Sequence, residues 1–581
     1  MKIFFIRPKP GDSPFSTNEK RPPIGIAYLL SILKGIGCDV KFVDMYIGEK
    51  CNIMDIVNYN PDFIGMYCDT ITFPEAIKTL KLLEYIRHDF NCDFKIMVGG
   101  PHATLRPQDF PGFVDYIVQG EGEEAIADIV KGKVKDRIIK YPYIKDLNLS
   151  PMPDYKELFK HNYDLTAPEI DARKVMVMNT SRGCPYRCLV GSFKVFTPKG
   201  NKLIQQLKSQ DKIISWDFRK KSFKTNEILE INKQITKKYL RIIYEHNGKD
   251  KVLRVTENHK IHTKRGWINA IDLTENDEIL IIECSDKISE TKKGNRNPMK
   301  RQSVRKKVSL GMTGQSKMKW CKIKRIENKK RVMPIYDIIC EDKPHNFFAD
   351  NVLVHNCNFC SAWQLWGKKY RYMDAEKVIL HIKYLKEKYN IDGIYFREDN
   401  FIANKERTKE FCKSVKSLNI KWKCEARVNN LTEDVVKMIA EAGCKALYIG
   451  VESGNQRVLN LMQKDIKVED TKRAFADCKK YGIKTYASVI AGFPGETSEE
   501  LMDTHKLLNE IKPYQIWWNV FTGLPGSESY NEMTEYYKGE YGMRYPLNWD
   551  KLADIYYGKG ISWRVRNQNY KLIKEEEQID K

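Results

Sequence analysis

The sequence predicts an α/β protein in which an all-β domain interrupts the second of two α/β domains. Residues 1 to about 131 alternate short apolar strands with amphipathic helices, as in "KIFFIRP", "PIGIAYLLSILKGIG" and "FKIMVGGPHA". This alternation is typical of a parallel, doubly wound sheet with helices on both faces. Residues 188–356 instead show alternating apolar strands with few helical stretches, which predicts an all-β fold.

The second α/β domain begins before the insert, at "VMVMNTSRG", and resumes after it. Helices and strands then alternate from "AEKVILHIKYLKEKYN" to "QIWWNVFTG", which makes six strand and helix units in all. We therefore expect a (β/α)6 partial TIM barrel, with functional residues at the carboxyl ends of its strands.

Length and composition indicate a soluble protein with several domains. The chain has 581 residues, of which 42% are hydrophobic and 30% charged, a globular balance. No apolar run approaches the roughly 18 residues of a membrane span, and "MKIFFI" meets Arg7 too early for a signal peptide. Fifteen cysteines in such a chain favour a reducing compartment. We expect a cytoplasmic protein without a membrane span.

The positive charge is concentrated in the insert. Of the net charge of +23, residues 188–356 carry +18, with 37 Lys and Arg against 19 Asp and Glu. The basic character therefore says little about the substrate of the flanking domains.

The first domain has its candidate ligand-binding residues where ligands of doubly wound sheets bind, at the carboxyl ends of strands. These ends read "CDT", "GGPH" and "QGEGE", and their glycines permit close approach of a bulky ligand. With "RPPIGIAYLLSILKGIG" and "VGGPHAT", this half resembles the cobalamin-binding domain that precedes many radical S-adenosylmethionine enzymes. The resemblance implies cobalamin contacts from Asp69, Thr70, Gly99, Gly100, His102 and Gly120.

One position departs from that resemblance. Cobalamin domains that supply a lower axial ligand carry Asp-x-His-x-x-Gly after the second strand, whereas this chain has Tyr46 in place of the histidine, in "DMYIGE". The resemblance then implies either a cobalt without a protein imidazole or a domain that has lost its cofactor.

The cysteine motif of the second domain is split by the insert. If residues 188–356 are removed, the loop reads Cys184-Pro-Tyr-Arg-Cys357-Asn-Phe-Cys360, the Cys-x-x-x-Cys-x-aromatic-Cys of the radical S-adenosylmethionine family. Three thiolates can hold three irons of a 4Fe–4S cluster and leave the fourth iron open. The resemblance implies that S-adenosylmethionine binds there and is cleaved to a 5′-deoxyadenosyl radical. Without excision, these cysteines and Cys188 would instead form two close pairs that suit a structural zinc site.

Further candidates follow later strands of the same domain. Glu398 and Asp399 in "FREDN" correspond to the family segment that holds the methionine amino group, and Glu452 in "YIGVESG" and Gly492 in "IAGFPGE" resemble strand ends that line the cofactor. The alternative is that the carboxylates are ordinary strand-end residues. Arg427 could face the cofactor carboxylate or form a structural ion pair.

The insert resembles an intein, a self-splicing protein domain, over its whole length. Four blocks carry the resemblance: "CLVGSFKVFTPKG", "RVTENHKIHT", "PIYDIIC" and "HNFFADNVLVHNC". A thiol is needed to convert the first junction into a thioester, and polar groups are needed to polarise the amide and protonate the departing amine. The resemblance implies catalytic roles for Cys188, Thr256, His259, Asp337, His345, His355, Asn356 and Cys357.

Alternatives remain for the insert. A hedgehog-type autoprocessing domain shares the fold but cleaves without ligating, although Asn356 followed by Cys357 argues against it, and the insert could also be silent. Residues 285–330 are the least β-like part and are expected to be a linker or an endonuclease relic. Within them, residues 294–315 resemble a short DNA-binding repeat, which predicts a weak DNA contact or, equally, a solvated linker.

The expected product is a cobalamin-dependent radical S-adenosylmethionine enzyme that methylates an unactivated carbon of a small-molecule, lipid or peptide substrate. Oxidative ring formation, radical rearrangement, and a splicing element in a decayed host are the alternatives. The resemblance also implies an electron donor such as a ferredoxin or flavodoxin. The expected domains are 1–150 (cobalamin-binding), 151–187 and 357–525 (radical core), 188–356 (intein) and 526–581 (carboxyl-terminal cap).

Overall fold

A computed structural model describes most of the chain up to residue 521. Cys184, Cys188, His345, Asn356, Cys357 and Cys360, and the segments 294–315 and 526–581, lie outside the described residues, as do the side chains of Asp337 and His355. The described residues are 1–10, 20–183, 189–190, 193–218, 220–257, 259–283, 317–340, 346–355, 365–367, 370–462, 464, 466–493 and 495–521.

The first domain is a six-stranded parallel sheet with strand order β2-β1-β3-β4-β5-β6. Phe4 and Ile6 pack with residues of three helices on one face, and Ile3 and Phe5 pack with residues of two helices on the other. The sheet is therefore doubly wound, because its apolar strands bury both faces. Its elements are β1 Lys2–Arg7, α1 Ile24–Gly35, β2 Asp39–Asp44, α2 Ile53–Tyr59, β3 Phe63–Tyr67, α3 Phe73–Asp89, β4 Lys95–Gly99, α4 Pro101–Leu105, β5 Tyr116–Gln119, α5 Glu123–Val130 and β6 Ile138–Lys140.

A connecting segment leads into the second α/β domain. It contains α6 Tyr155–Leu158 and ends at β7 Val175–Met178, whose four residues are all buried. The short strand β8 Ser181–Arg182 follows immediately.

The insert folds as a twelve-stranded sheet without an α-helix among its described residues. It forms one compact unit, and the two α/β domains belong to another. Two long antiparallel strands, β13 and β18, pair over most of their length. The strands are β9 Leu189–Val190, β10 Lys194–Thr197, β11 Gly200–Leu203, β12 Lys212–Asp217, β13 Ser222–His246, β14 Lys249–Val255, β15 Lys260–Thr263, β16 Gly266–Asn269, β17 Glu278–Glu283, β18 Lys317–Cys340, β19 Asn346–Ala349 and β20 Val352–His355.

Strand β18 corrects part of the prediction that residues 285–330 form a linker or an endonuclease relic, namely its described residues 317–330. Residues 317–330 belong to a continuous strand, in which Cys321 and Ile323 are buried while Lys322 and Lys324 are exposed. The density of lysines concealed this alternation of inward and outward side chains, which is the signature of a strand.

The second α/β domain is a six-stranded parallel sheet in the order β26-β25-β24-β23-β22-β7, so the strand before the insert completes a sheet formed after it. Phe396 and Trp422 pack in the helix-covered core, and Tyr395, Tyr448 and Tyr486 cluster on the other face. The elements are β21 Arg371–Tyr372, α7 Ala375–Tyr389, β22 Gly393–Phe396, α8 Lys405–Val415, β23 Lys421–Ala426, α9 Glu433–Glu441, β24 Cys444–Glu452, α10 Gln456–Leu461, α11 Val468–Lys480, β25 Lys484–Ala491, α12 Ser498–Ile511 and β26 Gln515–Val520.

A two-stranded antiparallel pair links the two sides of the insert. Arg182 of β8 is the register partner of Arg371, and Ser181 is the partner of Tyr372. None of the helices in the described part of the chain combines the length and apolarity needed to cross a bilayer.

Candidate active site

Glu398 ties together the ends of two neighbouring barrel strands. Its side chain is buried and accepts hydrogen bonds at Oε1 from the backbone nitrogen and the hydroxyl of Thr180, both at 2.5 Å. Its Oε2 accepts a short hydrogen bond from the hydroxyl of Ser181. Arg407 also donates a hydrogen bond to the Thr180 hydroxyl. Glu398 therefore fixes the start of the predicted cluster loop against strand β22.

Asp399 is the neighbouring carboxylate that remains accessible to a ligand. It keeps an exposed surface, and its side chain makes no hydrogen bond with the described residues. Partial desolvation by the surrounding strand ends, and then the charge of Glu398, raise the pKa of Asp399 to about 6. Glu398 therefore positions the loop, whereas Asp399 is accessible to a ligand.

Glu425, at the end of β23, is a third carboxylate here that the sequence reasoning missed. Desolvation is the largest cause that raises its pKa to about 7, and the charges of Asp399 and Glu398 add to it, against the lowering effect of Arg397. The Tyr395 hydroxyl donates to its Oε1 at 3.2 Å. The detectable signal was a lone carboxylate in the apolar end of "KWKCEA". Raised carboxyl pKa values of this kind are typical of functional sites.

Glu452 and Gly492 occupy unusual backbone positions at the next two strand ends. Glu452 is buried with φ of 63°, next to a register shift between β24 and β25. Such a conformation is costly for a residue with a side chain and is concentrated at functional sites. Gly492 has φ of 76° and donates its backbone N–H to Glu496 Oε2 at 2.6 Å. The structure therefore shows that Gly492 forms a turn. Its predicted contact with the cofactor is a separate role.

Gly100 provides the closest backbone approach in the first domain. Its φ is 106°, and a Cβ atom there would lie 2.7 Å from the carbonyl oxygen of Cys68. Gly99, by contrast, would accept a Cβ with no contact closer than 3.8 Å. Gly120, with φ of 81°, donates its N–H to the Thr104 hydroxyl at 2.9 Å. These side-chain-free strand ends fit the broad face of a cobalamin.

Asp69 stabilises its own turn, and His102 contacts Thr70. Asp69 Oδ1 accepts bonds from the backbone nitrogens of Ile71 and Thr72, at 3.0 and 2.8 Å. His102 is buried, with Nδ1 3.4 Å from the Thr70 hydroxyl and Nε2 3.3 Å from Asp109 Oδ2. Both ring nitrogens therefore face protein atoms. Burial lowers the pKa of His102 below its ordinary value, against the raising effect of Asp109.

Tyr46 stands against Arg7, whose guanidinium carbon lies 4.1 Å from the centre of the tyrosine ring. The preceding Asp44 is fully buried and accepts from Arg7 at 3.1 Å and from the Tyr163 hydroxyl at 2.7 Å. This loop is therefore stabilised within the protein and presents no imidazole to a cofactor.

Strand pairing in the insert brings its predicted residues together. Leu189, which follows Cys188, pairs with Val255 and with Tyr336, the residues that precede Thr256 and Asp337. In another strand pair of the same sheet, Lys260 of β15 is the register partner of His355 of β20 and follows the buried His259. His259 donates its backbone N–H to the Thr256 carbonyl at 3.0 Å, which closes the turn between them. Residues far apart in sequence thus converge on adjacent strands.

Comparison with known proteins assigns the two α/β regions. The model of the B12 binding domain matches residues 16–130, and that of the Radical SAM superfamily matches residues 354–508. The second match begins at residue 354, within the last three residues of the insert, so strand β7 lies outside it although it belongs to the same sheet.

Two curated relatives share parts of the chain. The uncharacterized methyltransferase PH0819 of Pyrococcus horikoshii is 31% identical over 235 residues, which cover 38% of this chain and 50% of that protein. The anaerobic magnesium-protoporphyrin IX monomethyl ester cyclase of Rubrivivax gelatinosus is 28% identical over 181 residues, covering 30% of this chain and 32% of the cyclase. The chain therefore matches about half the length of the first relative and a third of the second.

One solved structure shares the fold of this chain, and a second matches a smaller part of it. The apo form of OxsB, a cobalamin-dependent S-adenosylmethionine radical enzyme, matches with a TM-score of 0.51 and 13% identity, covering 93% of this chain and 61% of that one. The DnaX mini intein from Spirulina platensis matches 29% of this chain and 99% of that one, at 22% identity and a TM-score of 0.22.

These findings confirm the prediction of cofactors. A radical SAM domain implies a 4Fe–4S cluster and S-adenosylmethionine, and a B12-binding domain implies cobalamin. The chain combines a B12-binding domain with a radical SAM domain, and its cofactors are a 4Fe–4S cluster, S-adenosylmethionine and cobalamin.

Proposed function

We propose that the chain is a precursor that excises residues 188–356 and joins Arg187 to Cys357, giving a cobalamin-dependent radical SAM enzyme that transfers a methyl group to an unactivated carbon. One observation carries the proposal: strand β7, before the insert, pairs with β22 of the sheet formed after it. A sheet that is complete across a 169-residue interruption supports a host that functions once the interruption is removed.

The splicing chemistry uses residue types present at both junctions. The Cys188 thiol attacks the Arg187 carbonyl carbon, so that a thioester forms, the peptide C–N bond breaks, and the freed amine takes a proton. The Cys357 thiol then displaces the Cys188 thiolate. The side-chain nitrogen of Asn356 attacks its own carbonyl and breaks the bond to Cys357, whose amine finally takes the acyl group from sulfur. The pairing of Leu189 beside Thr256 and Asp337 supports this assignment.

In the spliced enzyme, Cys184, Cys357 and Cys360 would hold the cluster, and Asp399 would bind the cofactor ammonium while Glu398 holds the loop. When bound, the cluster with S-adenosylmethionine would supply one-electron chemistry, and cobalamin would supply methyl-transfer chemistry. Glycines 100 and 120 would accommodate the cobalamin face, with no histidine ligand to cobalt. An electron donor such as a ferredoxin or flavodoxin is proposed, and the proposed substrate is a small molecule, a lipid or a peptide.

Oxidative ring formation is the second candidate reaction, favoured by the similarity to a cyclase over 30% of this chain. A hedgehog-type insert that only cleaves, or a decayed host, would leave no active spliced enzyme. All three alternatives predict products different from those of a spliced methyltransferase.

Expression of the full chain followed by intact-mass analysis under reducing conditions tests the proposal. The expected products are the free insert and a chain in which a peptide spans Arg187 and Cys357. Anaerobic reconstitution of the joined chain should then retain cobalamin and cleave S-adenosylmethionine. Recovery of only the separate flanking pieces would favour the hedgehog-type alternative.

A further inference from the structure

Glu121 is a buried carboxylate that the reaction scheme leaves without a role. It follows strand β5 of the B12-binding domain, and its side chain is 2% exposed. It accepts from the Ile144 backbone nitrogen at 2.6 Å and from the guanidinium of Arg371, whose Nη1 lies 2.7 and 3.0 Å from its two oxygens. The guanidinium of Arg182 lies 3.0 Å from the same carboxylate.

The two arginines stand on opposite sides of the insert in sequence and face each other in space. Arg182 lies six positions before Cys188, and Arg371 lies fourteen positions after Cys357. They are register partners in the β8 and β21 pair. A single carboxylate therefore contacts both flanks of the interrupted loop.

Further contacts fix each flank. Arg371 donates to the carbonyl oxygens of Ile144 and Trp366, each at 2.7 Å, and Arg182 donates to Glu123 Oε1 at 2.5 Å. Burial opposes the charge of Arg182, but the charges of Glu123 and Glu121 raise its pKa above the ordinary value. Removal of Glu121 would leave Arg182 with Glu123 as its carboxylate partner and would leave the buried Arg371 with carbonyl acceptors in place of a charged partner, which is costly.

We propose that Glu121 is a positioning residue that holds both flanks of the insert while the insert leaves, so that the host ends are ligated and not released. This rests on the proposed splicing. The thioester at Cys188 can be attacked by the Cys357 thiol or by water, and the balance depends on the effective concentration of that thiol. Because Glu121 contacts both Arg182 and Arg371, it keeps the two flanks close together and so keeps this effective concentration high.

The test compares Glu121→Gln with Glu157→Gln in the full precursor. Glu157 is also buried and accepts from two lysines, Lys34 and Lys160, and its hydrogen bonds with the described residues include neither flank. Intact-mass analysis and gels would measure the ratio of ligated chain to the free 1–187 fragment, at equal extents of precursor consumed. A merely structural role would lower the yield of folded protein without moving this ratio.

We expect the ratio to fall several-fold in Glu121→Gln and to stay at the wild-type value in Glu157→Gln. Equal ratios of ligated chain to free fragment in wild type and Glu121→Gln would overturn the proposed positioning role of Glu121. Absence of ligated product from the wild type would instead refute splicing itself. Should Glu121→Gln fail to fold, Arg371→Lys makes the same prediction, since lysine keeps the charge but lacks the guanidinium fork; an unchanged ratio there would equally overturn the proposal.

Discussion

The host and the insert bring their candidate residues together through different strand arrangements. In the parallel host sheets, the residues lie beyond the strand ends, as Asp399 and Gly100 do. In the antiparallel insert, the register partners Val255 and Leu189 bring Thr256, which directly follows β14, beside the first junction. Parallel strands converge at one edge and leave their middles to packing. Antiparallel strands from distant segments can instead bring chemistry together wherever they pair.

The largest effect should come from breaking the insert's site at its junctions. Cys188→Ala removes the first nucleophile and Asn356→Ala removes the cyclising side chain, so we expect ligated product to fall by on the order of 100-fold or more in either variant. Intact-mass analysis of reduced precursor checks this. The double variant should also fail to cleave S-adenosylmethionine after reconstitution, and cleavage at the rate of the spliced enzyme would contradict the need for excision.

A smaller effect is expected from the host's reachable carboxylate. Asp399→Asn removes the charge that would pair with the cofactor ammonium, so S-adenosylmethionine should bind about tenfold more weakly at pH 8, or ~1.4 kcal/mol. Because the pKa of Asp399 is about 6, the wild-type carboxyl is mostly protonated at pH 5, and the difference between variant and wild type should shrink there.

Anaerobic calorimetry on the spliced chain at both pH values measures this change in affinity. Asp434→Asn provides a matched control, because Asp434 is an exposed carboxylate that pairs with Lys405 away from the strand ends. A loss of affinity that is equal at both pH values would mean that the charge of Asp399 is not what binds the cofactor.

The sequence predicts those features of the fold and of the site that are encoded by residues close together in the chain. The period of apolar residues predicted both parallel sheets, and the split cysteine motif predicted the insert's bounds, because each signal is carried by neighbours in sequence. The contacts of Glu121 with Arg182 and Arg371 could not be predicted, since they depend on tertiary packing between segments 250 residues apart in the longer case. Nor could the different exposure of Glu398 and Asp399, which are adjacent in sequence. The roles proposed for the junction residues stay predictions.

A stability effect should separate the two glycines at the end of β4. Gly100→Ala forces a Cβ to 2.7 Å from the Cys68 carbonyl oxygen at a positive φ, which should cost about 1 to 3 kcal/mol and reduce cobalamin retention. Gly99→Ala is the matched control, because its Cβ would meet only ordinary contacts from 3.8 Å. Thermal unfolding and cobalamin absorbance after gel filtration measure both effects, and equal behaviour of the two variants would argue against a tight cradle at this turn.

The last expected effect is the pH dependence of stability contributed by Glu425. Its pKa is about 7 in the fold and about 4.3 in an unfolded chain. Between these values the folded state binds more protons, so this group lowers the free energy of unfolding as pH rises from about 4.3 to 7. Glu425→Gln removes the titration, and the variant should therefore gain stability relative to wild type when pH is raised from 5.5 to 8.

Chemical denaturation of the spliced chain at both pH values measures this difference. Asp434→Asn should show no such change over the range, because the pKa of Asp434 is held at about 2, chiefly by its bond with Lys405. If the difference in free energy of unfolding between Glu425→Gln and wild type is the same at both pH values, Glu425 is already ionised in the folded protein. The strand ends of the second α/β domain would then hold their carboxylates charged, as the exposed surface does.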